Sequence, residues 1–332
     1  MSLPDRAPRA EPFAGARGAP PGDAPPDDAP SDDGSGVAGP FDPDEALGYV
    51  LAALEVRPDP GPADGARPGD VLFVGDPSGE GGVRVFGGQV VGQALRAAAA
   101  TVGADHRVNS LHAYFIRPGR HTEPIRYAVD PVRDGRSFTT RRVVALQSGE
   151  AILELDASFH ADEPGATFQP PSPVGAVMPP DAGEAMPRPP WARRRPLDMR
   201  WAASPEPGRR GVWVRSPARL PDDPTLHACL VAFLSDMGPV GVVRAAVDQD
   251  DRRPAPWRGL PPADGRGTMM MASLDHCMWF HRPVRADEWL LYELEPVAAA
   301  GARGVARGAI WTAAGDLVVT LVQEVLARPL RD

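Results

Sequence analysis

The sequence contains no lysine, so all 35 basic residues of the 332-residue chain are arginine. Without lysine the chain has neither a Schiff-base nucleophile nor a P-loop, whose phosphate grip needs that residue. Cysteine is nearly absent as well, because Cys229 and Cys277 are the only two. Two cysteines exclude a disulfide framework and a cysteine-rich zinc site, and they are typical of a protein in a reducing compartment.

Positive charge and long apolar runs are also scarce. The 35 basic and 44 acidic residues give a formal net charge of −9, so we expect no nucleic-acid surface. The N-terminal residues lack the apolar core of a signal peptide. The longest apolar run, at residues 226–234, falls short of the ~18 residues that a membrane span needs. We therefore expect a cytoplasmic protein that binds neither nucleic acid nor a membrane.

Proline divides the chain into segments. Residues 1–40 hold 9 of the 41 prolines, together with seven acidic residues and almost no large apolar side chain. Such a segment cannot bury enough surface to offset its ordering entropy, which predicts a disordered tail. A second proline-rich stretch at 161–196 is typical of an extended linker. The folded parts are then residues 41–160 and 197–332.

These two folded parts look like copies of one another. Residues 115–118 (FIRP) in the first match residues 280–283 (FHRP) in the second. Thirteen residues after each of these prolines comes the proline of an acid-Pro-Val triplet, at 130–132 and at 295–297. Agreement in both residue type and spacing indicates a tandem duplication.

Each copy combines one helix with strands that follow it. The first predicted helix covers residues 88–101, and the second covers 224–237 after a cap at Asp223. The second helix is apolar almost all round, so a sheet must surround it. Strand pairs follow, and Gly149 and Gly315 supply the positive φ that a short hairpin needs. The predicted fold is α+β, with two tandem antiparallel sheets that each wrap a central helix.

This arrangement resembles the double hotdog fold, and several segments are similar to the acyl-CoA thioesterase II family. The combination is specific to that family, whereas any one fragment alone would be a weak signal. The matching segments are 85–95 (VFGGQVVGQAL), 110–115, 117–118, 133–138, 141–143, 234–236 (LSD), 272–276 (ASLDH), 278–283 (MWFHRP) and 322–324 (VQE).

The resemblance implies hydrolysis of acyl-CoA thioesters to a free acid and coenzyme A, without a cofactor or a metal. Family members position a water molecule with an aspartate, a threonine or serine, and a glutamine. Carried over by motif, these residues are Asp236, Ser273 and Gln323. Asp236 would be the base, while Ser273 and Gln323 would orient the water by donating and accepting hydrogen bonds.

Each of these residues also has an ordinary structural explanation. Asp236 follows an apolar helix and could be a surface acid, while Ser273 could close a turn. Gln323 interrupts an apolar run and could face outward from a strand. Eight residues beyond Gly315 stands Gln323, but eight beyond Gly149 stands Ala157. The first copy therefore lacks the glutamine, which predicts one active site per chain.

Other polar residues near these motifs suggest weaker hypotheses. His276 and His281 are five residues apart on a predicted strand and so point to opposite faces, which argues against a shared metal. Asp275 and His276 are adjacent and also point apart, unlike the acid–histidine pair of hotdog hydratases. Cys277 is typical of buried packing, and the arginine run 193–195 is either a solvated part of the linker or a contact for coenzyme A phosphates.

Three functions remain open from the sequence alone. The leading one is an acyl-CoA thioesterase. The alternatives are a hotdog enoyl-CoA hydratase or dehydratase, and a double hotdog that binds acyl-CoA without catalysis. Hotdog units cover sheet edges and helices by association, which predicts a homodimer or a higher homo-oligomer.

Overall fold

A computed structural model describes the chain over six ranges, which are residues 42–61, 64–78, 84–186, 197–203, 208–248 and 268–330. The tail predicted over residues 1–40 and the arginine run at 193–195 lie outside the described residues.

Proline begins three of the four α-helices in the described ranges, which are α1 (Pro43–Leu54), α2 (Gly87–Ala99), α3 (Pro224–Ser235) and α4 (Pro239–Val247). Proline suits this position because the first turn leaves its N–H groups unpaired in any case. Asp223 caps α3 as predicted, since its carboxylate accepts a hydrogen bond from the Thr225 N–H at 2.9 Å. The second helix predicted over 224–237 is followed directly by another helix. Pro239 opens α4.

The strands form one antiparallel sheet in the order β1-β2-β4-β5-β6-β3-β10-β13-β12-β11-β8-β7, with β9 paired to β13. The first half supplies β1 (Arg57–Pro58), β2 (Val71–Gly75), β3 (His106–Phe115), β4 (Ile125–Asp134), β5 (Phe138–Gln147) and β6 (Glu150–Ala161). The second half supplies β7 (Asp198–Ala202), β8 (Arg210–Arg215), β9 (Met269–Ser273), β10 (Asp275–Phe280), β11 (Leu290–Ala300), β12 (Arg303–Thr312) and β13 (Leu317–Pro329).

The two halves are joined edge to edge, which differs from the two separate sheets that we expect from the sequence. Strand β3 pairs antiparallel with β10, and Leu111 lies opposite Met278 in this pairing. The pairing fills hydrogen-bonding edges that would otherwise be exposed. These two edges are paired within one chain, so they do not call for a second copy of it. Formation of a homodimer stays a prediction.

The two long central helices, α2 and α3, cross closely on the inner face of the sheet. Glycine allows this approach at two positions of α2. A methyl group on Gly88 would collide with the carbonyl oxygen of Phe233. A methyl group on Gly92 would lie 3.1 Å from the Cys229 carbonyl oxygen and 2.7 Å from the Leu54 side chain. The backbones therefore meet where side chains are missing.

Replacing Gly92 with alanine is expected to destabilise the fold by about 1–3 kcal/mol, because the added methyl group overfills this crossing. The free energy of unfolding in urea measures the change. Gly48→Ala is the matched control, since Gly48 lies within α1 with nothing within 4 Å of an added methyl group. That variant is expected to gain about 0.5–1 kcal/mol from helix propensity. Equal effects of the two substitutions would contradict the close crossing.

The described part of the predicted linker, residues 161–186, is attached to the second half. The Gln169 side chain donates to the Gly315 carbonyl oxygen at 2.9 Å and accepts from the Leu317 N–H at 3.1 Å. Further along, Val177 is buried in an apolar cluster with residues of the second half. This stretch therefore packs against the strands of that half and is not a free spacer.

The segment Pro224–Val247, which contains α3 and α4, is long and apolar enough to cross a membrane. This segment is longer than the apolar run at 226–234 because it also includes α4. In the folded chain, 78% of its most apolar window is buried. Its apolar surface is thus covered by the protein itself.

Candidate active site

Asp236, Ser273 and Gln323 come together at one point between α3 and the sheet. Asp236 is the residue directly after α3, Ser273 ends β9, and Gln323 lies within β13. The Ser273 hydroxyl donates to Asp236 Oδ1 at 2.8 Å. Gln323 Nε2 lies 2.9 Å from Asp236 Oδ1 and 2.7 Å from Ser273 Oγ. Three side chains that are far apart in sequence thus form one hydrogen-bonded triangle.

Burial removes two of the ordinary explanations. Asp236 is only 6% exposed and is not a surface acid. Gln323 is fully buried, and its strand neighbours alternate so that Leu321 and Val325 face inward with it while Val322 faces outward. A buried polar group must be hydrogen-bonded, and the triangle provides those bonds.

An irregularity in the sheet directs Ser273 into the triangle. Ser273 lies opposite Val325 and Cys277 lies opposite Val322, so four steps along one strand correspond to three along the other. Leu274 sits at this β-bulge, where its N–H donates to the Glu324 carbonyl oxygen at 2.9 Å. A bulge reverses the alternation of side chains. Ser273 and the residue three positions later, His276, therefore both face inward.

His276 contacts the triangle, a position that the sequence did not predict for it. Its Nδ1 lies 2.6 Å from Gln323 Oε1, and its Nε2 lies 2.8 Å from Ser235 Oγ. The prediction that His276 and His281 face apart is confirmed, since His281 is exposed and its Nε2 lies 3.0 Å from Thr320 Oγ1. The bulge that brings His276 beside Gln323 cannot be predicted from the spacing of residues in the sequence.

Burial sets the protonation of the groups behind Asp236. Burial lowers the pKa of His276, and the negative charge of Asp236 opposes that shift. Burial also raises the pKa of Tyr292, with a further contribution from Asp236. The Tyr292 hydroxyl donates to the Ser235 carbonyl oxygen at 2.6 Å. A neutral imidazole and a protonated phenol therefore support the carboxylate at neutral pH.

Stability is expected to fall as the pH drops below about 6.5, the ordinary pKa of histidine. The unfolded chain then takes up protons that His276 and His227, whose pKa values are lowered mainly by burial, do not bind in the folded state. Their contribution is full above that pH and is lost as the pH falls through the lowered pKa values. Urea unfolding at about pH 7.5 and about pH 5.5 measures the loss. It should be smaller in His276→Asn, and an equal loss in both proteins would contradict the assignment.

The first half contributes the N-terminus of α2 to the same place. A methyl group on Gly87 would lie 2.8 Å from Asp236 Oδ2 and 2.7 Å from the Phe115 ring, so glycine is required for the carboxylate to approach. Within the part of the chain that the structure describes, no side chain caps this end of α2. The first N–H groups of a helix have no partner within it and attract negative charge. The site therefore combines a carboxylate from one half with a helix N-terminus from the other.

Two glutamines of the 85–95 segment serve the structure elsewhere. Gln89 and Gln93 are fully buried, and the Nε2 of each donates to the Ala53 and Asp76 carbonyl oxygens at 3.0–3.1 Å. Gln93 Oε1 accepts from the Tyr127 hydroxyl at 2.6 Å. These residues tie the end of α1 and the loop after β2 to α2, and they do not reach the triangle.

The described part of the first half has no second triangle. In the two sheet halves, Gln323 pairs with Ala306 as Ala157 pairs with Arg141. This register confirms that Ala157 occupies the place of Gln323. By the same comparison, Val108 opposite Phe159 occupies the place of Ser273 opposite Val325.

Metal ligands and thiols are two further kinds of group that can carry catalysis. Within the described residues, no three histidine, cysteine, aspartate or glutamate side chains are grouped to hold a metal ion. Burial raises the pKa of Cys229 to about 12, and burial also raises the pKa of Cys277. Both thiols are therefore poor nucleophiles.

The geometry defines a class of protein. In this class two sheet-and-helix units share one sheet, and a buried carboxylate, hydroxyl and amide lie at their junction. Family models described as the acyl-CoA thioesterase N-terminal and C-terminal domains match residues 75–160 and 170–327. The chain belongs to the acyl-CoA thioesterase II family and is a thioester hydrolase.

Individual relatives agree with this assignment. The chain is 36% identical over 274 residues to acyl-coenzyme A thioesterase 8 of Rattus norvegicus, covering 74% of this chain and 80% of that protein. It is 33% identical to acyl-CoA thioesterase 2 of Haemophilus influenzae, covering 78% and 93%. The crystal structure of an acyl-CoA thioesterase II from Mycobacterium marinum has a TM-score of 0.69 and 35% identity, with 85% and 98% covered. The predicted α+β double hotdog fold is confirmed.

Proposed function

We propose that the chain hydrolyses acyl-CoA by direct attack of a water molecule that Asp236 deprotonates. The water oxygen forms a bond to the thioester carbonyl carbon while its proton passes to the carboxylate. The carbon–sulfur bond then breaks, and the proton returns from Asp236 to the departing thiolate. The products are the free acid and coenzyme A, and no bond to the enzyme forms. Ser273 and Gln323 orient the water and the carboxylate.

The distribution of hydrogen bonds on Asp236 carries this proposal. Oδ1 accepts from both Ser273 and Gln323, which fixes the plane of the carboxylate. Among the described residues, no side chain donates to Oδ2, which faces Gly87 at the start of α2. One oxygen is therefore held in place and the other is left to accept a proton from water.

The N-terminus of α2 supports the charge that develops during attack. The carbonyl oxygen becomes negative in the tetrahedral intermediate, and backbone N–H groups aimed at it lower the barrier. The first turn at Gly87, which no described side chain caps, has such groups beside the carboxylate. The two halves then have different tasks, because the second holds the base and the first stabilises the oxyanion.

The hydratase alternative lacks an acid–base pair that reaches a substrate. His276 is fully buried, and both of its ring nitrogens have partners within the protein. Asp275 lies on the opposite face of the sheet and accepts a hydrogen bond from the Glu324 N–H at 2.6 Å. The non-catalytic alternative leaves the buried triangle without a purpose, since binding alone needs no oriented carboxylate.

Release of free thiol from a panel of acyl-CoAs, short to long and branched, tests the proposal. In water labelled with oxygen-18, the acid product is expected to carry one labelled oxygen, and hydroxylamine should trap no acyl-enzyme. Loss of enoyl-CoA absorbance without thiol release would favour the hydratase. Binding of acyl-CoA without turnover would favour the double hotdog that binds acyl-CoA without catalysis. The panel also establishes the preferred acyl group.

A further inference from the structure

Among the described residues, His276 is the side chain that joins the Gln323 amide to Ser235, the last residue of α3. It lies on β10 and is fully buried. Its two ring nitrogens contact different partners, with Nδ1 2.6 Å from Gln323 Oε1 and Nε2 2.8 Å from Ser235 Oγ. Both distances are those of normal or short hydrogen bonds. His276 therefore bridges Ser235 and Gln323, and its ring has no exposed surface.

The hydrogen-bond chemistry of Asp236 determines which way the Gln323 amide points. A carboxylate only accepts, so the group of Gln323 that lies 2.9 Å from Asp236 Oδ1 must be the NH₂ group. The other end of the amide, Oε1, then faces His276 and also only accepts. His276 must therefore donate, and its proton is on Nδ1. The direction of the whole chain of bonds follows from the carboxylate.

The same reasoning fixes the tautomer of His276. With the proton on Nδ1 and a neutral ring, Nε2 is an acceptor. The Ser235 hydroxyl lies 2.8 Å from Nε2 and 2.9 Å from the Ala232 carbonyl oxygen, and its single proton goes to Nε2 when the ring proton is on Nδ1. Enclosure of the ring favours the neutral form, since burial lowers the pKa of His276. Ser235 thus supplies the hydrogen bond that the Nδ1–H tautomer accepts at Nε2.

We propose that His276 is a positioning residue for hydrolysis, which keeps the NH₂ group of Gln323 toward Asp236 and Ser273. The inference rests on the function proposed above. Without this donor the amide can turn over and present Oε1 to the carboxylate, where two acceptors repel each other. Asp236 then loses one of the two bonds that hold its plane, and the attacking water loses its orientation. Groups behind a reacting residue commonly alter activity by about 10–100-fold when they are changed.

Two substitutions of similar polarity separate positioning from packing. In His276→Asn, the amide nitrogen falls near the position of Nδ1 and can still donate to Gln323. In His276→Gln, the amide lies near the position of Nε2, and no donor reaches Gln323. We expect His276→Asn to keep kcat close to wild type, and His276→Gln to lower kcat by about 10-fold or more with little change in KM. Equal kcat values in the two variants would overturn the proposal.

The tautomer is measured directly by nitrogen-15 spectra of histidine-labelled protein, in which the His276 signals are assigned by their absence from His276→Asn. The wild type is expected to show a protonated Nδ1 and a bare Nε2. Ser235→Ala removes one oxygen atom, and it is expected to move the population toward the Nε2–H tautomer and to lower kcat at constant KM. A wild-type ring protonated at Nε2 would overturn the proposal. A Ser235→Ala protein with unchanged kcat would also overturn it, and that measurement needs no folded His276 variant.

Asp236→Asn, measured beside these proteins, distinguishes failure of the proposed base from failure of the positioning role of His276. If Asp236→Asn keeps its hydrolysis rate, the proposed base is wrong whatever the His276 variants do. If Asp236→Asn loses activity while His276→Gln keeps it, the base stands and only the positioning role fails.

Discussion

Asp236→Asn is expected to lower kcat for acyl-CoA hydrolysis by about 100-fold or more, the usual contribution of a general base. Asparagine has the same shape, and its side-chain oxygen can still accept from Ser273 and Gln323 as Asp236 Oδ1 does. What it loses is the proton acceptor at the position of Oδ2. The substitution therefore removes the chemistry and keeps the arrangement. Thiol release under saturating acyl-CoA measures the effect.

Asp316→Asn is the matched control for this experiment. Asp316 lies in the hairpin between β12 and β13, and its side chain is about half exposed. The substitution makes the same chemical change far from the triangle, so the rate should stay near wild type. Thermal unfolding and acyl-CoA binding show whether Asp236→Asn remains folded. Full hydrolysis by a folded Asp236→Asn protein would leave the family assignment in place and discard this site.

Gln323→Glu is expected to have the second largest effect, a loss of about 10²–10³ in kcat, comparable to removal of an oriented donor from an active site. Glutamate has the same length, but its carboxylate cannot donate to Asp236 Oδ1 or Ser273 Oγ. It also places a second carboxylate about 2.9 Å from the first. Two carboxylates at that distance cannot both ionise freely, so one of them holds a proton to a higher pH. The base is then neutralised and also misoriented.

The neighbouring residue provides the control for Gln323→Glu. Glu324 lies next to Gln323 on β13, but it faces the other side of the sheet. Glu324→Gln exchanges the same two chemical groups in reverse and should leave kcat nearly unchanged. If Gln323→Glu matched Glu324→Gln in rate, the amide would have no part in the reaction. Comparison of kcat with KM distinguishes a defect in chemistry from a defect in binding.

The resemblance to the acyl-CoA thioesterase II family was sufficient to identify Asp236, Ser273 and Gln323 as candidates, and the structure brings the three together. The helices near 88–101 and 224–237 and the glycine hairpins also follow from local patterns. Positive φ values at Gly149 and Gly315 confirm the turns. The comparison of the two copies, in which Ala157 is equivalent to Gln323, agrees with the strand register. These features depend on residue type and short-range periodicity, which the sequence contains.

Other features depend on contacts between distant segments. The joining of the halves through β3 and β10, which the sequence analysis describes as two sheets, depends on which edges meet. The bulge at Leu274 adds one residue between Ser273 and His276, so that both face inward although strict alternation would place them on opposite faces. No local pattern marks an extra residue whose effect appears only when the partner strand is in place.

The amino-acid order thus determines the duplicated sheet-and-helix units, because these are recorded in spacing and residue type. It also contains the motifs that resemble the family, and that resemblance implies the three polar side chains. Only the tertiary structure decides that Gly87 of the first half meets Asp236 of the second, and that Ser235, His276 and Gln323 form one line of hydrogen bonds. The physical reason is range. Helix and strand patterns repeat every few residues, while a hydrogen bond between residues 87 positions apart exists only after the chain has folded.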